Sequence, residues 1–464
     1  MPHPDMYFDL DLQVLTHTRA IYESIRDLPI ISPHTHIDPG MFSNPDYQYP
    51  DPYRLFVLAD HYIFRILHSQ GISLETILNC ADSEAGWRLF AENYHLFLGT
   101  PSAAWFEMAL EQVFGITEKL NSNNADAIYE HISGQLTTPR LAPSQLLDTF
   151  KIEVLATTDQ AVDTLPCHQA IKGTPLEGRI IPTIRMDNLM FISAKDWRDT
   201  IAKLSQVSQV NVKGYASFLE AIRQRRSYFK QLGATACDIS VPSTCTEPLS
   251  PQECNNIFQK AMMGQVSIKD EQLFIAHMLF EIAGMCCEDD LVMQLHTGVQ
   301  RNNNLTAYAQ FGPDLGYDLP IQVEYTRNLM PLLQEFGEDP HFTLLLFSLD
   351  ETSLTRELAP LAGVYPCLRL GPPWWFLDSW QGMRNYLERV TEIAGIYNTA
   401  GFIDDGRNLL TLPARHDLWR RAVANWLSDL VARHVISKSE GQNLAYELTY
   451  NLAKKTYNMP SGTE

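Results

Sequence analysis

The sequence is poor in basic residues and contains no long apolar run. Its 464 residues include 35 Lys and Arg against 55 Asp and Glu, for a formal net charge of −20. This surplus of negative charge disfavours nucleic acids and anionic membranes as partners, because both repel an acidic surface. No apolar run approaches the roughly 20 residues that span a bilayer, and the first residues lack a basic stretch followed by an apolar one. We therefore expect a cytoplasmic protein with no membrane segment and no signal peptide.

Paired cysteine motifs, internal repeats and low-complexity segments are also missing. The eight cysteines are scattered, and none forms the C-x-x-C spacing of zinc ribbons and dithiol redox sites. This usage is typical of a reducing compartment, where thiols are buried as small apolar side chains. A hydrophobic content of 45% supports a large buried core. The length suits a large barrel with insertions, or two to three domains.

Short apolar runs alternate with long helical patterns along the chain. Runs separated by helices favour a parallel sheet, and the number eight predicts a distorted (β/α)₈ barrel of the TIM type, an α/β fold. The predicted strands are residues 28–34, 153–158, 179–184, 236–241, 291–296, 342–349, 367–370 and 399–403.

More than a hundred residues separate the first two runs, whereas a simple βαβ unit needs about 30. Apolar residues recur there at intervals of three and four, as in an amphipathic helix. We expect a helical insertion at 41–150 that covers the barrel mouth, with 1–40 and 151–464 forming the barrel. The helices predicted for the insertion are 60–69, 73–79, 84–98, 102–114, 124–134 and 144–150.

A candidate metal site begins at the end of the first strand. His34 and His36 are two residues apart, so both imidazoles leave an extended strand on the same side. Asp405 follows the eighth run and would bring a carboxylate to the same mouth. The alternative for Asp405 is a turn or helix N-cap, which Asp-Asp-Gly would also suit. Two imidazoles and a carboxylate predict one divalent ion, with zinc the first expectation and manganese the second.

The strands that would hold a second metal carry no suitable ligand. An H-x-H on strand one with an Asp on strand eight is the pattern of the amidohydrolase superfamily, whose binuclear members have a carboxylated Lys on strand four. Strand four here, 236–241, contains no Lys, and strand six ends at Phe347-Ser-Leu-Asp350 without a His. A single metal that positions and polarises is therefore the better expectation than a hydrolytic metal pair.

The order of the remaining motifs resembles one family in particular, the bacterial uronate isomerases (glucuronate/galacturonate isomerases), which are divergent amidohydrolase-superfamily members. The resemblance runs nearly end to end, and the motifs are specific in this order although each is weak alone. They are His34-Thr-His36, Asp60-His-Tyr62 with Arg65, Ala156-Thr-Thr-Asp159, Arg185, Gln294-Leu-His296, Arg301-Asn-Asn-Asn304, Gly312-Pro-Asp-Leu-Gly-Tyr-Asp318, Trp374-Trp-Phe376, Asp405-Gly-Arg407 and Arg415-His-Asp417.

The resemblance implies an aldose–ketose isomerase of hexuronates, converting D-glucuronate to D-fructuronate and D-galacturonate to D-tagaturonate. Its partners would be a small hexuronate and further copies of the same chain. The residues similar to the family's metal ligands are His34, His36 and Asp405. Those similar to its catalytic groups are Tyr62, Asp405 and Arg407, and those similar to its substrate-binding residues are His61, Arg185, His296, Arg301 and Trp375.

Three departures from the family pattern fall near these residues. Gly406 stands where the family often has Ser, and Gly371-Pro-Pro373 stands where it often has Gly-Ser-Gly. Ile239 replaces a His that commonly follows the strand-four Asp, which puts a strand-four contribution to the pocket in doubt.

The implied reaction makes chemical sense of the catalytic group. Moving a proton from C2 to C1 through a cis-enediol needs one base that serves both carbons. The cation Arg407 would lower the pKa of Tyr62 from its ordinary value of about 10, so that a phenolate could act as the base. An arginine, Arg185 or Arg301, could bind the substrate carboxylate with two parallel hydrogen bonds. The alternatives are a core-facing helix aromatic for Tyr62 and ordinary core packing for Trp374-Trp-Phe376.

Two other functions compete with the isomerase. A mononuclear metal-dependent hydrolase or decarboxylase on the same scaffold would share the His34, His36 and Asp405 trio, but would not need Tyr62 beside Arg407. A catalytically silent sugar-acid binding protein would not need the metal trio. Measured metal content and turnover would therefore separate the three.

Overall fold

The computed structural model describes residues 3–80 and 82–459, and a curved parallel sheet lies at its centre. Seven strands pair in the order β1-β2-β3-β4-β5-β8-β9, and every pairing is parallel. A short antiparallel ribbon, β6 with β7, stands apart from this sheet. The strands are β1 Ile30–Ser32, β2 Ile152–Gln160, β3 Ile180–Arg185, β4 Ala236–Val241, β5 Val292–Thr297, β6 Val299–Gln300, β7 Leu319–Pro320, β8 Leu344–Phe347 and β9 Leu368–Leu370.

Single bridges join the two edges of the sheet where an eighth strand was predicted. Thr399 pairs with Leu370 of β9, and Gly406 pairs with Thr35 just beyond β1. The segment between them forms no regular strand, because Gly401 has a left-handed φ of +71° that interrupts extended pairing. The predicted distorted TIM-type barrel is thus confirmed, whereas the regular strand expected at 399–403 is wrong.

The register of the strands sets which side chains enter the barrel. Arg185 pairs with Asp238, and Ser240 pairs with His296, so polar residues of three neighbouring strands lie at the same carboxyl edge. Because side chains alternate along a strand, Ile239 points the other way and is buried in the apolar layer outside the sheet. The departure at Ile239 therefore leaves the strand-four contribution to the mouth intact.

Helices fill most of the chain between β1 and β2. Side chains cap several of their first turns, with Asp60, Ser73, Asp82 and Thr100 each accepting a hydrogen bond from a backbone N–H of the following turn. Their apolar faces meet in a core rich in aromatic rings that also reaches Ile152 of β2. The helices are α2 Gly40–Ser43, α3 His61–Ser69, α4 Leu74–Leu78, α5 Ser83–Glu92, α6 Pro101–Phe114, α7 Ala125–Leu136 and α8 Pro143–Thr149.

The other helices surround the sheet, and none of those described combines the length and apolar character needed to cross a bilayer. A large apolar cluster lies between them and the strands. They are α1 Leu12–Ile25, α9 Pro166–Ile171, α10 Asp187–Met190, α11 Trp197–Ser208, α12 Tyr215–Gln231, α13 Pro251–Met262, α14 Ile268–Asp289, α15 Leu305–Phe311, α16 Met330–Phe336, α17 Glu351–Ser353, α18 Ala359–Val364, α19 Trp380–Ala394, α20 Leu412–Ala432, α21 Lys438–Tyr446 and α22 Leu452–Thr456.

A carboxyl group is held in a poorly solvated position at the end of β2. Asp159 accepts a 2.7 Å hydrogen bond from Thr157 Oγ1, which also lies 2.9 Å from His168 Nε2. Burial raises the pKa of Asp159 from 3.8 to about 7; the hydrogen bond from Thr157 opposes this, and Asp163 and Asp38 add to it. In the folded protein this group therefore stays protonated at pH values where the unfolded chain has lost the proton.

We expect the free energy of unfolding to fall as pH rises from about 4 to about 7, the window between the unfolded and folded pKa values of Asp159. The loss is at most about 4 kcal/mol, since one pKa unit corresponds to 1.36 kcal/mol. Asp159→Asn should flatten this part of the pH profile in urea unfolding, whereas the exposed Asp196→Asn should not. An equally steep profile in Asp159→Asn would contradict the assignment.

Candidate active site

A cavity of about 480 Å³ opens at the carboxyl edge of the sheet. Its walls combine strand-end residues with the loops after β5 and β9. This is the end of a TIM-type barrel at which catalytic residues are found. The lining residues are His34, His36, Gln160, Arg185, Asp187, Asn188, Phe191, Asp238, Ser240, His296, Arg301, Asn302, Pro313, Asp314, Trp374, Trp375, Asp405 and Arg407.

The trio predicted to bind a metal converges within this cavity. Asp405 Oδ1 lies 3.2 Å from His36 Nε2 and 3.6 Å from His34 Nε2. This oxygen is buried and has no hydrogen-bond partner among the described residues, while Oδ2 accepts a 3.0 Å bond from Trp374 Nε1. Two imidazole nitrogens around an unsatisfied carboxylate oxygen fit a divalent cation, because the ion would satisfy the oxygen that the protein leaves free.

The ionisation of the trio also suits metal binding. Burial lowers the pKa of His34 to about 4, against the opposing effect of Asp238 and Asp405, so the imidazole is neutral at physiological pH. Burial alone would raise the pKa of Asp405, but His36, His34 and Arg407 outweigh it and hold the pKa well below its usual range. A neutral imidazole and an ionised carboxylate are the forms that bind metals.

A second cluster, formed by His34, Asp238 and His296, is less suited to an ion. The His34 and His296 rings stack, with centroids 5.0 Å apart and planes 28° from parallel. The lone pairs of imidazole lie in the ring plane, so those of stacked rings run side by side and do not meet at one point. The Nδ1 atom of His296 is also occupied, since it donates a 2.8 Å hydrogen bond to Asp238. The geometry favours one ion, at the first trio.

Two arginines of the cavity are held by carboxylates that the sequence analysis did not identify. Arg185 Nε donates to Asp187 at 2.6 Å, and its NH1 lies 3.7 Å from Asp238. Arg301 donates to Asp318 at 2.9 Å and to Ser240 Oγ at 3.1 Å. Each guanidinium is therefore oriented before any ligand binds.

The Trp374-Trp-Phe376 motif forms a turn that connects most of the site. Trp374 and Trp375 both line the cavity. Trp374 is buried and donates a hydrogen bond to Asp405, and the Arg301 guanidinium lies 4.9 Å from the ring of Trp375. The next ring, Phe376, lies 6.1 Å from the ring of Tyr62 in an edge-on contact. The motif therefore packs in the core at Trp374 and also supplies two aromatic rings to the cavity wall.

Four residues that line the cavity have a strained backbone. The non-glycine residues with left-handed φ include Asn302 at 55°, Asp314 at 62°, Trp375 at 47° and Asp405 at 46°, and all four line it. Such conformations cost about 1–3 kcal/mol each and persist where surrounding contacts impose them, often at functional sites.

Tyr62 lies in a narrower cavity of about 60 Å³ that adjoins the first. The N-cap Asp60 starts α3 by accepting a 2.8 Å bond from the Tyr62 backbone N–H, and this places His61 and Tyr62 at the mouth. The two cavities share Trp375, Asp405 and Arg407. Tyr62 is therefore not simply a core aromatic, although most of its ring is buried.

The expectation that Arg407 lowers the pKa of Tyr62 is not met. Burial raises the pKa of Tyr62 well above its ordinary value of 10, and the cation that most opposes this is Arg415. Asp378, Asp405 and Asp60 raise it further. The Asp405-Gly-Arg407 motif fixes only the spacing of these two residues in the sequence. It does not show which arginine the fold brings near the phenol of Tyr62.

Arg407 has a different environment from the other arginines of the mouth. It is exposed, it lines both cavities, and its side chain makes no hydrogen bond or ion pair with another residue of the described chain. Arg185 and Arg301, by contrast, are each paired with a carboxylate. Among the described residues, no carboxylate holds Arg407 through a hydrogen bond or an ion pair, although Asp405 is close enough to feel its charge.

Comparison with known proteins assigns the site to a family. A family model described as glucuronate isomerase matches residues 9–457. The chain belongs to the glucuronate isomerase family. Among proteins named uronate isomerase, one from Nostoc punctiforme is 42% identical over 98% of each chain, and one from Brucella melitensis is 44% identical over 98% of this chain and 99% of its own. The crystal structure of glucuronate isomerase from Caulobacter crescentus superposes with a TM-score of 0.96 at 41% identity, covering 100% of this chain and 98% of that one.

Membership of the glucuronate isomerase family confirms the resemblance inferred from the motifs. The match extends through the helices between β1 and β2 as well as the barrel. It does not favour the hydrolase or decarboxylase considered as the alternative. The roles of individual residues are a separate question, on which the geometry above bears.

Proposed function

We propose that this member of the glucuronate isomerase family interconverts aldose and ketose forms of hexuronates, D-glucuronate with D-fructuronate and D-galacturonate with D-tagaturonate. The observation that carries the proposal is the match along nearly the whole chain to proteins named uronate isomerase. The cavities support it chemically, because the candidate metal ligands and the Tyr62 phenol line two adjoining cavities that share Asp405 and Arg407.

His34, His36 and Asp405 would hold one divalent ion, zinc as the first choice and manganese as the second. When bound, this ion would polarise oxygen atoms of the sugar acid and help to orient it. Asp405 would also move a proton during ring opening, from the anomeric hydroxyl to the ring oxygen as the bond between C1 and that oxygen breaks. The 3.0 Å hydrogen bond that Oδ2 accepts from Trp374 Nε1 supports this role, because it fixes the orientation of the carboxylate.

Tyr62 is the candidate for moving the proton between the two carbons. Once the hydroxyl has lost its own proton to solvent, the phenolate oxygen would take the proton from C2 and return it to C1, which requires that both carbons lie on one side of the phenol. The cavity of Tyr62 also includes Asp405 of the metal trio and Trp375. A substrate held at the trio can therefore present one face to the phenol. Arg407 would stabilise the negative oxygen of the enediol, because no carboxylate of the described residues holds its guanidinium through a hydrogen bond or an ion pair.

The remaining predicted residues would bind and orient the sugar acid. Arg185 and Arg301 are held by carboxylates and so offer fixed donors to the substrate carboxylate and hydroxyls. His296 presents an unpartnered Nε2, since Nδ1 is bonded to Asp238. His61 and Trp375 lie 5.8 Å apart between ring centroids and would form an apolar wall for the sugar ring.

We also infer that the chain is divided as the sequence suggested. Residues 1–40 and 151–464 would form the barrel, and 41–150 would form the helical unit over its mouth. The support is that His61 and Tyr62, from the second range, line a cavity together with Asp405 and Arg407 from the first.

A coupled assay with purified protein tests the proposed function directly. Ketose should form from D-glucuronate and from D-galacturonate, whereas D-glucose, which lacks the carboxylate, should not be converted. Failure to convert either uronate by protein with its metal bound would contradict the proposal. Release of a hydrolysis product or of carbon dioxide would favour the hydrolase or decarboxylase.

A further inference from the structure

A buried ion pair lies beside the narrow cavity that contains Tyr62. Arg415, near the start of α20, donates from NH2 to Asp378 Oδ2. Both side chains are nearly inaccessible, with 13% and 5% of their surface exposed. Arg415 lines the narrow cavity that contains Tyr62, and it takes no part in the larger cavity with the metal trio.

Contacts from two other parts of the chain fix this pair in place. The guanidinium carbon of Arg415 lies 4.1 Å from the centre of the Trp105 ring, which α6 supplies. The backbone N–H of Asp378 donates a 2.9 Å hydrogen bond to the carbonyl of Trp375. Phe376, on the same turn, packs against the ring of Tyr62. The turn that positions the ring of Tyr62 thus also holds Asp378 against Arg415.

The ion pair leaves one of its donors and one of its acceptors without a hydrogen bond, which is unfavourable for an ion pair that serves only stability. Arg415 Nε and Asp378 Oδ1 are both buried without a partner among the described residues. A buried ion pair contributes little net stability unless its remaining donors and acceptors are satisfied. Arg421 and Asp417, one turn further along the same helix, show the contrast, because Arg421 donates to Asp417 and to two backbone carbonyls.

We propose that Asp378 and Arg415 are positioning residues for Tyr62, with the Arg415 cation favouring loss of the phenolic proton and the Asp378 carboxylate opposing it. The proposal rests on the proposed function, in which Tyr62 moves the proton. Neither residue needs to touch the substrate. The balance between the two charges determines how readily the Tyr62 hydroxyl can act as a base.

The charges around Tyr62 are consistent with this assignment. Burial is the largest influence and raises the pKa of the phenol; Arg415 is the strongest charge lowering it and Asp378 the strongest raising it. Burial also raises the pKa of Asp378 to about 7, against the effect of Arg415, so its carboxylate is ionised wherever the phenol titrates. The other charged or titratable groups facing the same space are Asp60, His61, Asp405 and Arg407.

The test places a fluorinated tyrosine at position 62 of the metal-loaded, full-length protein and follows its ionisation by fluorine NMR. A fluorinated phenol is more acidic than tyrosine, which brings the titration into an accessible pH range. Arg415→Gln removes the cation and should move the midpoint to higher pH. Asp378→Asn removes the anion and should move it to lower pH. Arg415→Lys keeps the charge and should stay nearer to the unsubstituted protein.

Turnover gives a second measurement with the same signs. In Arg415→Gln, kcat at neutral pH should fall by about one order of magnitude, with KM and metal content nearly unchanged. In Asp378→Asn, the rise of kcat with pH should begin at lower pH. The matched controls are Arg421→Gln and Asp417→Asn, which break an equally buried pair on α20 outside both cavities. They should leave the titration of position 62 and the pH profile unchanged.

Opposite movements of the midpoint in Arg415→Gln and Asp378→Asn would support the proposal, whatever reaction the protein catalyses. Equal midpoints in the two variants, movement in the same direction, or no titration in Asp378→Asn would overturn it. If Arg415→Gln does not fold, Asp378→Asn is compared with the double variant Arg415→Gln/Asp378→Asn. The double variant is neutral at both positions, so its midpoint should move back up from that of Asp378→Asn. A failed uronate assay would instead count against the proposed function.

Discussion

Tyr62→Phe is expected to lose about 10² to 10⁴ of kcat while binding metal and substrate almost normally. The hydroxyl is the atom proposed to move the proton between C2 and C1, and a general base contributes a factor of this size. The ring itself remains, so its edge-on contact with Phe376 and the packing of α3 should survive. A loss confined to kcat is the signature of a group that acts only in the chemical step.

Three measurements check this expectation. Steady-state kinetics should show the loss in kcat, metal analysis should show unchanged stoichiometry, and solvent deuterium should enter C2 of the aldose in the reverse reaction of the unsubstituted protein. Tyr94→Phe is a suitable control, because Tyr94 is a buried tyrosine of the same helical stretch that bonds Glu107 and lines neither cavity. Near-normal turnover in Tyr62→Phe would move the base elsewhere, with Asp405 the next candidate. A complete lack of exchange over many turnovers would instead indicate hydride transfer.

The barrel could be predicted because its strands combine a short apolar run with a polar residue at the carboxyl end. Seven of the eight predicted runs coincide with a regular strand of the parallel sheet. These strands are β1, β2, β3, β4, β5, β8 and β9. The eighth run, 399–403, has the same composition but contains Gly401 with a left-handed φ, and it contacts its neighbours through single bridges. Composition alone does not show where a backbone leaves the extended region.

The two histidines of the candidate metal trio were visible in the sequence because their spacing is a local property of a strand end, whereas Asp405 was placed beside them through the predicted barrel. The partners of two buried carboxylates were not, since Asp238 bonds His296, which is 58 residues away, and Asp318 bonds Arg301, which is 17 residues away. The sequence did contain a signal for Asp238. It lies two residues before Ser240 on the same strand, and this spacing directs both side chains into the barrel. No local pattern joins Asp378 or Arg415 to Tyr62, because the three come from different elements and meet only in the folded chain.

The double variant His34→Ala/His36→Ala is expected to lose its bound divalent ion. It removes both imidazoles of the trio and leaves one carboxylate oxygen, Asp405 Oδ1, which cannot hold the ion alone in competition with water. The fold should survive, because the apolar clusters around the sheet and among the helices supply most of the stability.

Elemental analysis of the purified proteins measures the outcome, with about one ion per chain expected before the substitution and far less than one after it. Circular dichroism and thermal unfolding should show that the double variant is folded. His277→Ala is the matched control, since His277 is a buried histidine on α14 that lies in neither cavity, and it should retain the ion. Unchanged metal content in the double variant would exclude this site and leave His296 with Asp238 as the remaining ligand pair in the cavity. Activity need not vanish with the ion, because the roles proposed for Tyr62 and the arginines use their own atoms, and a metal that mainly orients the substrate contributes only part of the rate.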